Sequence, residues 1–188
     1  MKKVLLVEQI LIFALLHDMN NTETLYLAGG CYWGMEELFR TMNGVTLTQV
    51  GFSGGHIKNV AYREVTTGTT GHAETLMIQY DSNIVSLRHL LFEFFRIHNP
   101  TKINQQGNDI GSQYRSIIFY MNAAQKIMAE EVIKQVDTSG EWGSPVITEI
   151  TPFEAFYPAE QKHQKYIMQF PDGYTCHFRR NFDLGENA

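Results

Sequence analysis

Strand-like and helix-like periodicities alternate along one chain of 188 residues, and that alternation constrains the fold more than any other feature. Glu23-Thr24-Leu25-Tyr26-Leu27-Ala28 alternates and predicts a short strand, after which Trp33, Leu38, Phe39 and Met42 recur at helical spacing. Val45 to Ser53 alternates cleanly, as a half-buried strand does, and Gly54-Gly55 ends it. A short helix carrying Tyr62 is expected within Asn59 to Thr67, stopped by Gly68, and Glu74 to Tyr80 is a further strand. Ser86 is a natural N-cap for an amphipathic helix through Leu87, Leu90, Leu91, Phe94, Phe95 and Ile97, with Pro100 marking its end. Thr101 to Gln113 is a polar loop, long enough without periodicity to suggest function. Arg115 to Tyr120 returns as a strand, and Asn122 caps a helix with apolar Ile127, Met128 and Val132. Val146 to Ile150 is expected as the final strand. Pro158 is expected to open a last helix, Ala159 to Phe170, broken by Pro171-Asp172-Gly173 before an irregular tail. With no repeats or low-complexity segments, this alternation calls for a mixed sheet with helices packed on it.

The length suits one domain, residues 21–188, with residues 171–188 as its tail and residues 1–20 as an N-terminal extension. A net charge of −5 and no Lys/Arg cluster argue against a nucleic-acid partner. Two cysteines, Cys31 and Cys176, are too few for a secreted disulfide scaffold and fit a reducing, cytoplasmic setting with a working thiol. Met1-Lys2-Lys3 and the apolar residues after it superficially resemble a secretory signal. Glu8 and Gln9 interrupt that run, no small-x-small cleavage site follows, and it is too short to span a bilayer. Export stays open as a weaker alternative to a natural start at Met19, stable membrane insertion is not expected, and the chain is expected to be a monomer.

Cys31 falls where the first strand turns over Gly29-Gly30 into the first helix. A thiol there faces unpaired backbone N–H groups and the positive end of the helix dipole, which favour the nucleophilic thiolate. Taken alone, a free cysteine is more often a small buried hydrophobe. The flanking glycines and large aromatics shift the balance to function. Glu74 opens a strand beside Gly68 and Gly71, where its side chain can enter a cleft. A carboxyl in an apolar pocket stays protonated and can serve as an acid, although a strand-edge glutamate is ordinarily a solvated charge.

These residues carry a family resemblance. Gly30-Cys31-Tyr32-Trp33-Gly34 resembles the Gly-Cys-Phe-Trp-Gly signature of the peptide methionine sulfoxide reductase A family, with Tyr for Phe at position 32. Gly71-His72-Ala73-Glu74 matches the family's Gly-His-Ala-Glu block. Gly107-Asn108-Asp109-Ile110-Gly111-Ser112-Gln113-Tyr114-Arg115-Ser116 is similar to its Gly-Asn-Asp-x-Gly-Thr-Gln-Tyr-Arg-Ser loop, with Ser for Thr at 112. Tyr62 matches a second family tyrosine, with Val60-Ala61 replacing the usual Pro-Thr before it. Gly51-Phe52-Ser53-Gly54-Gly55 is similar to a glycine-rich family turn. His72, His98 and His163 also lie in family-like blocks and are expected to be structural or supporting. Together the blocks span about Leu25 to Tyr174.

The resemblance implies a two-layer α/β sandwich of ferredoxin-like type, an α+β fold. It implies reduction of methionine S-sulfoxide, without a cofactor or metal. Cys31 would be the nucleophile, Glu74 the acid, and Tyr62 and Tyr114 hydroxyl donors to the sulfoxide oxygen. Asp109 would organise the pocket polar groups, and Tyr32 and Trp33 would wall an apolar site for the S-methyl group. Cys176 would resolve the Cys31 sulfenic acid as a disulfide, which thioredoxin reduces. With no further C-terminal cysteine, a relay through a second resolving thiol is excluded. Two other readings stay open: a cysteine hydrolase pairing Cys31 with His72 or His163, and a non-catalytic module binding oxidised methionine or peptide.

Overall fold

A computed structural model of the protein describes residues 21–186. Its strands are β1 (Thr22–Gly29), β2 (Val45–Ser53), β3 (Ala73–Asp81), β4 (Gln105–Gln106), β5 (Asp109–Ile110), β6 (Ser116–Tyr120), β7 (Glu149–Pro152) and β8 (Tyr157–Pro158). The helices are α1 (Tyr32–Arg40), α2 (Tyr62–Val65), α3 (Leu87–Ile97), α4 (Ala123–Ser139) and α5 (Tyr166–Gln169). Single 3-10 turns lie at Ser112–Tyr114 and Gln161–His163.

Six strands form one mixed sheet in the order β7-β6-β1-β3-β2-β8, antiparallel except for the parallel pair β6–β7. The chain path β1-α1-β2-β3-α3-β6, with central order β6-β1-β3-β2, is the ferredoxin-like arrangement. Period-two alternation decides which side chains go where. Leu25 and Leu27 of β1 enter the main core, whereas Tyr26 and Ala28 point to the opposite face. The main core unites them with Met35 and Phe39 of α1 and with Leu90, Leu91, Phe94 and Phe95 of α3. Burying each such side chain contributes about 1.5–3 kcal/mol. Under the second face, Phe153 stacks on Tyr26 at 4.0 Å. Both expected caps form: Ser86 Oγ accepts from the His89 N–H (3.1 Å), and Asn122 Oδ1 from the Gln125 N–H (2.9 Å).

Three local expectations are corrected. The polar loop contains the two-stranded hairpin β4–β5, which carries Asp109. The strand expected at Val146 to Ile150 begins only at Glu149, because the Val146 and Ile147 N–H groups are taken by Asp137 Oδ1 (2.7 Å) and the Pro100 carbonyl (2.9 Å), and β8 follows it. The long helix from Ala159 to Phe170 is broken, and Pro158 belongs to β8. Gln164 bonds the N–H and carbonyl of Val50 (2.9 and 2.8 Å), and Glu36 accepts the Lys165 N–H (2.6 Å). These tertiary partners hold Lys165 at φ 51°, and a continuous helix cannot pass through that conformation. Among the described residues no helix is long and apolar enough to cross a membrane. The apolar stretch considered as a signal lies outside the described residues.

Candidate active site

Cys31 is the N-cap of α1 and is 6% exposed. Gly30, at φ 101°, makes the turn that an L side chain would resist. The strand–turn–helix placement expected of Cys31 is therefore present. The resting thiolate expected from it is not. Burial first, and then the charge of Glu74, push the Cys31 thiol up, outweighing the hydrogen bond from the Trp33 N–H. One backbone hydrogen bond at a helix start is too weak to offset desolvation this complete.

Glu74 comes from the second position of β3, opposite Phe52 of β2, and is 2% exposed. Its Oε2 accepts the Tyr32 N–H at 3.1 Å, tying the acid to the first turn of α1. Burial pushes the Glu74 carboxyl up to about 8 against that hydrogen bond, and the charge of Asp109 adds to the rise. Glu74 thus holds a proton at neutral pH. Burial, followed by Glu74, pushes Tyr62 up to about 12 and Tyr114 upward as well, so both stay hydroxyl donors. Cys31 and Asp109 act on both tyrosines electrostatically, which places Cys31, Glu74, Tyr62, Tyr114 and Asp109 in one cluster.

An aromatic wall stands beside it. Tyr32 is wholly buried, with its ring 5.9 Å from those of Phe52 and His163. Trp33 is half-buried and stacks on Tyr166 at 3.8 Å. His163 lies 4.3 Å from the Tyr62 ring. The Tyr32 hydroxyl, Trp33 Nε1 and both ring nitrogens of His163 are buried without a hydrogen-bond partner, so the aromatic rings of this wall carry unsatisfied polar atoms.

The tail does not float. Arg179 grips Glu93 with two nitrogens (2.6 and 2.7 Å), Glu93 also accepts from Arg96 (2.7 Å), and Glu186 closes the set on Arg96 (2.8 Å) and His89 (2.6 Å). The three acidic and histidine ligand atoms of His89, Glu93 and Glu186 lie close enough for a metal, but the two guanidinium groups already neutralise them. Tyr174 donates to Asp109 Oδ2 at 3.1 Å. Between these anchors, Cys176 sits half-buried with its sulfur accepting the backbone N–H of Cys31. Two cysteines remote in sequence are brought together, and both are free thiols.

The histidines separate. His72 accepts the Gly55 N–H (3.1 Å) and donates to the Ile57 carbonyl (2.7 Å). His98 spans the Phe94 carbonyl (2.6 Å) and Ser116 (2.7 Å). Both ring nitrogens of His72 are taken up by Gly55 and Ile57, and among the described residues no hydrogen bond joins a histidine to Cys31, which argues against the Cys–His hydrolase reading.

A family model described as "Peptide methionine sulfoxide reductase" matches residues 23–187. The chain belongs to the peptide methionine sulfoxide reductase family. It is 49% identical over 160 residues to peptide methionine sulfoxide reductase MsrA 1 of Mesorhizobium japonicum, covering 85% of this chain and 91% of that one. Among solved structures it is similar to the reduced form of Mxr1 from Saccharomyces cerevisiae, with TM-score 0.81, 34% identity, and 86% and 94% of the two chains covered. Methionine sulfoxide reductase A of Corynebacterium diphtheriae gives TM-score 0.74 and 36% identity over 88% and 82%. Mxr1 has also been solved in complex with Trx2.

Sequence reasoning missed two residues packed around this reductase-family site, Glu36 and His177, and expected His163 as structural or supporting. Glu36, buried at 1% exposure, takes the Thr48 hydroxyl (3.0 Å) and the Lys165 N–H and so fixes the segment carrying His163 and Tyr166. His163 itself is packed into the aromatic wall. His177 adjoins Cys176 and bonds Gly29. Of the two that were missed, only His177 carried a signal, its position next to the tail cysteine.

Proposed function

We propose that this member of the peptide methionine sulfoxide reductase family reduces methionine S-sulfoxide, free or in proteins, to methionine, within the domain of residues 21–188. The observation that carries the residue assignment is the cluster of Cys31 with a buried, proton-bearing Glu74, two hydroxyl donors and a second thiol. Tyr62 and Tyr114 hydrogen-bond the sulfoxide oxygen, and Glu74 gives it a proton as negative charge develops there. The Cys31 sulfur attacks the sulfoxide sulfur and passes its own proton to the carboxylate just formed. A thiol that burial keeps neutral becomes nucleophilic only when substrate draws a proton from Glu74. Tyr32 and Trp33 wall the space for the S-methyl group, and Asp109 orients the polar side of the pocket.

Methionine departs and Cys31 is left as a sulfenic acid. Cys176 condenses with it, releasing water, and an external dithiol reduces the disulfide by exchange. Thioredoxin is that dithiol in this reading, which the complex of Mxr1 with Trx2 supports. The electrons come through thiols, so the scheme calls for no cofactor. A cytoplasmic location agrees with a cycle that needs reduced thiols.

Turnover of a methionine sulfoxide peptide by wild type and Cys176→Ser, with dithiothreitol and then with thioredoxin, tests the scheme. Activity with dithiothreitol in both, but with thioredoxin only in wild type, is expected. Thioredoxin-driven turnover in both would make Cys176 a bystander. No turnover in either would overturn the reductase reading in favour of a binding module.

A further inference from the structure

Cys176 must lose a proton before it can attack, and its surroundings oppose that. Burial, with Asp109 beside it, pushes this thiol up to about 12. The neighbouring residue offers a remedy. His177 is buried, at 6% exposure, with Nε2 2.7 Å from the Gly29 carbonyl and Nδ1 3.5 Å from Cys176 Sγ. A carbonyl only accepts, so Nε2 carries the ring proton. Burial keeps the imidazole neutral, pushing it down to about 4, with the hydrogen bond to Gly29 opposing and Arg180 assisting. Nδ1 is therefore a free lone pair 3.5 Å from the Cys176 sulfur, whose proton is shared between this ring and the Asp109 carboxylate that also hydrogen-bonds the thiol.

The glycines around Cys31 make the seat for this ring. A Cβ at Gly30 would meet His177 Cε1 at 3.2 Å. One at Gly34 would meet His177 Nδ1 at 2.9 Å and collide with Thr175 Oγ1. The backbone that presents the nucleophile is thus also shaped to receive a histidine from the tail.

We propose that His177 is the general base of the resolving step, a catalytic residue distinct from those that reduce the sulfoxide; the proposal rests on the reductase reading above. His177 Nδ1 takes the proton of Cys176 as its sulfur attacks the Cys31 sulfenic sulfur. The S–S bond forms, the S–O bond breaks, and the leaving hydroxide departs as water with the proton from the imidazolium. Cys176 is oxidised, the sulfenic sulfur is reduced, and no outside oxidant or reductant enters. The Gly29 carbonyl holds the tautomer and steadies the imidazolium. The groups facing this pair are Arg180 and His98 around the ring, and Asp109, Tyr174, Cys31 and Arg180 at the sulfur. Asp109 is the rival base and hydrogen-bonds the same thiol, but it also accepts the Tyr174 hydroxyl, and its charge opposes a thiolate beside it.

The test uses reduced, full-length protein mixed with a methionine sulfoxide peptide and no reductant. Methionine formed and thiols remaining are counted against time from about pH 6 to 9. His177→Gln keeps an N–H for the Gly29 carbonyl and loses the base. Its methionine burst should match wild type, while loss of the second thiol slows about tenfold or more at neutral pH. That loss should then quicken about tenfold per pH unit in the variant as Cys176 ionises unaided, and stay flat in wild type. Second-thiol loss at the wild-type rate, equal slowing at every pH, or a lost burst in His177→Gln would each overturn the assignment. So would transfer of the pH-dependent phenotype to Asp109→Asn. A wild type that makes no methionine would instead bring down the reductase reading.

Discussion

Replacing Glu74 by glutamine should remove most turnover and, above neutral pH, make the folded chain more stable. The carboxyl rises from an ordinary 4.5 to about 8 in the folded state, with burial as the leading cause. The sign follows from which state releases the proton first. Below about pH 4.5 both states are protonated and Glu74 costs nothing. As pH rises through the interval, the unfolded chain ionises while the folded chain holds its proton, so stability falls with each step. Above about pH 8 both are ionised and the deficit is constant. At about 1.4 kcal/mol per tenfold change, the full interval amounts to about 3 to 5 kcal/mol. Glutamine has the shape of the protonated acid and can still accept the Tyr32 N–H. Urea or thermal unfolding of the two proteins should coincide near pH 4.5 and diverge toward pH 9, by roughly 10 °C in Tm. Activity should fall about 100-fold or more, as for loss of a general acid. Stability curves that run parallel across this range would refute the buried, proton-bearing Glu74 on which the mechanism depends.

Two further substitutions examine the surroundings of Cys31. Gly30→Ala places a side chain at φ 101° with its Cβ 2.5 Å from Gln106 Cγ, and Gln106 is held by two hydrogen bonds to Asn99 (2.8 and 3.0 Å). A loss of about 2–4 kcal/mol in chemical denaturation is expected, together with loss of the methionine burst, and unchanged stability would refute the close approach. Tyr32→Phe removes a buried hydroxyl without a partner and restores the residue that the family signature carries there. It should stabilise the chain by about 1–2 kcal/mol while turnover is kept, and destabilisation would mean the hydroxyl is satisfied in solution.

Much of the site was legible because its signals are local. The Gly29-Gly30-Cys31 turn, the Ser86 and Asn122 caps and the alternation of β1 to β3 involve residues a few positions apart. Family blocks then named Glu74, Tyr62, Tyr114 and Asp109, which no single periodicity would have singled out. The failures are equally physical. A helix was expected through Gln164 and Lys165, but Val50 and Glu36, far away in sequence, claim their hydrogen bonds. The helix-dipole argument at Cys31 weighed the unpaired N–H groups of the helix start and could not weigh burial, a property of everything packed around the thiol.

From its residues alone, this chain determined the strands β1 to β3 and β6, the capped helices α3 and α4, which faces are apolar, and that a cysteine stands at the start of a helix. Those depend on torsional preference and periodicity within a few residues. Only the tertiary structure decided that Cys31 rests protonated, that Glu74 shares its cluster, and that an irregular tail is clamped by Glu93 and Glu186 with His177 against Cys176. Proton affinity and contact between distant segments arise from desolvation and packing, which exist only once the chain has closed on itself.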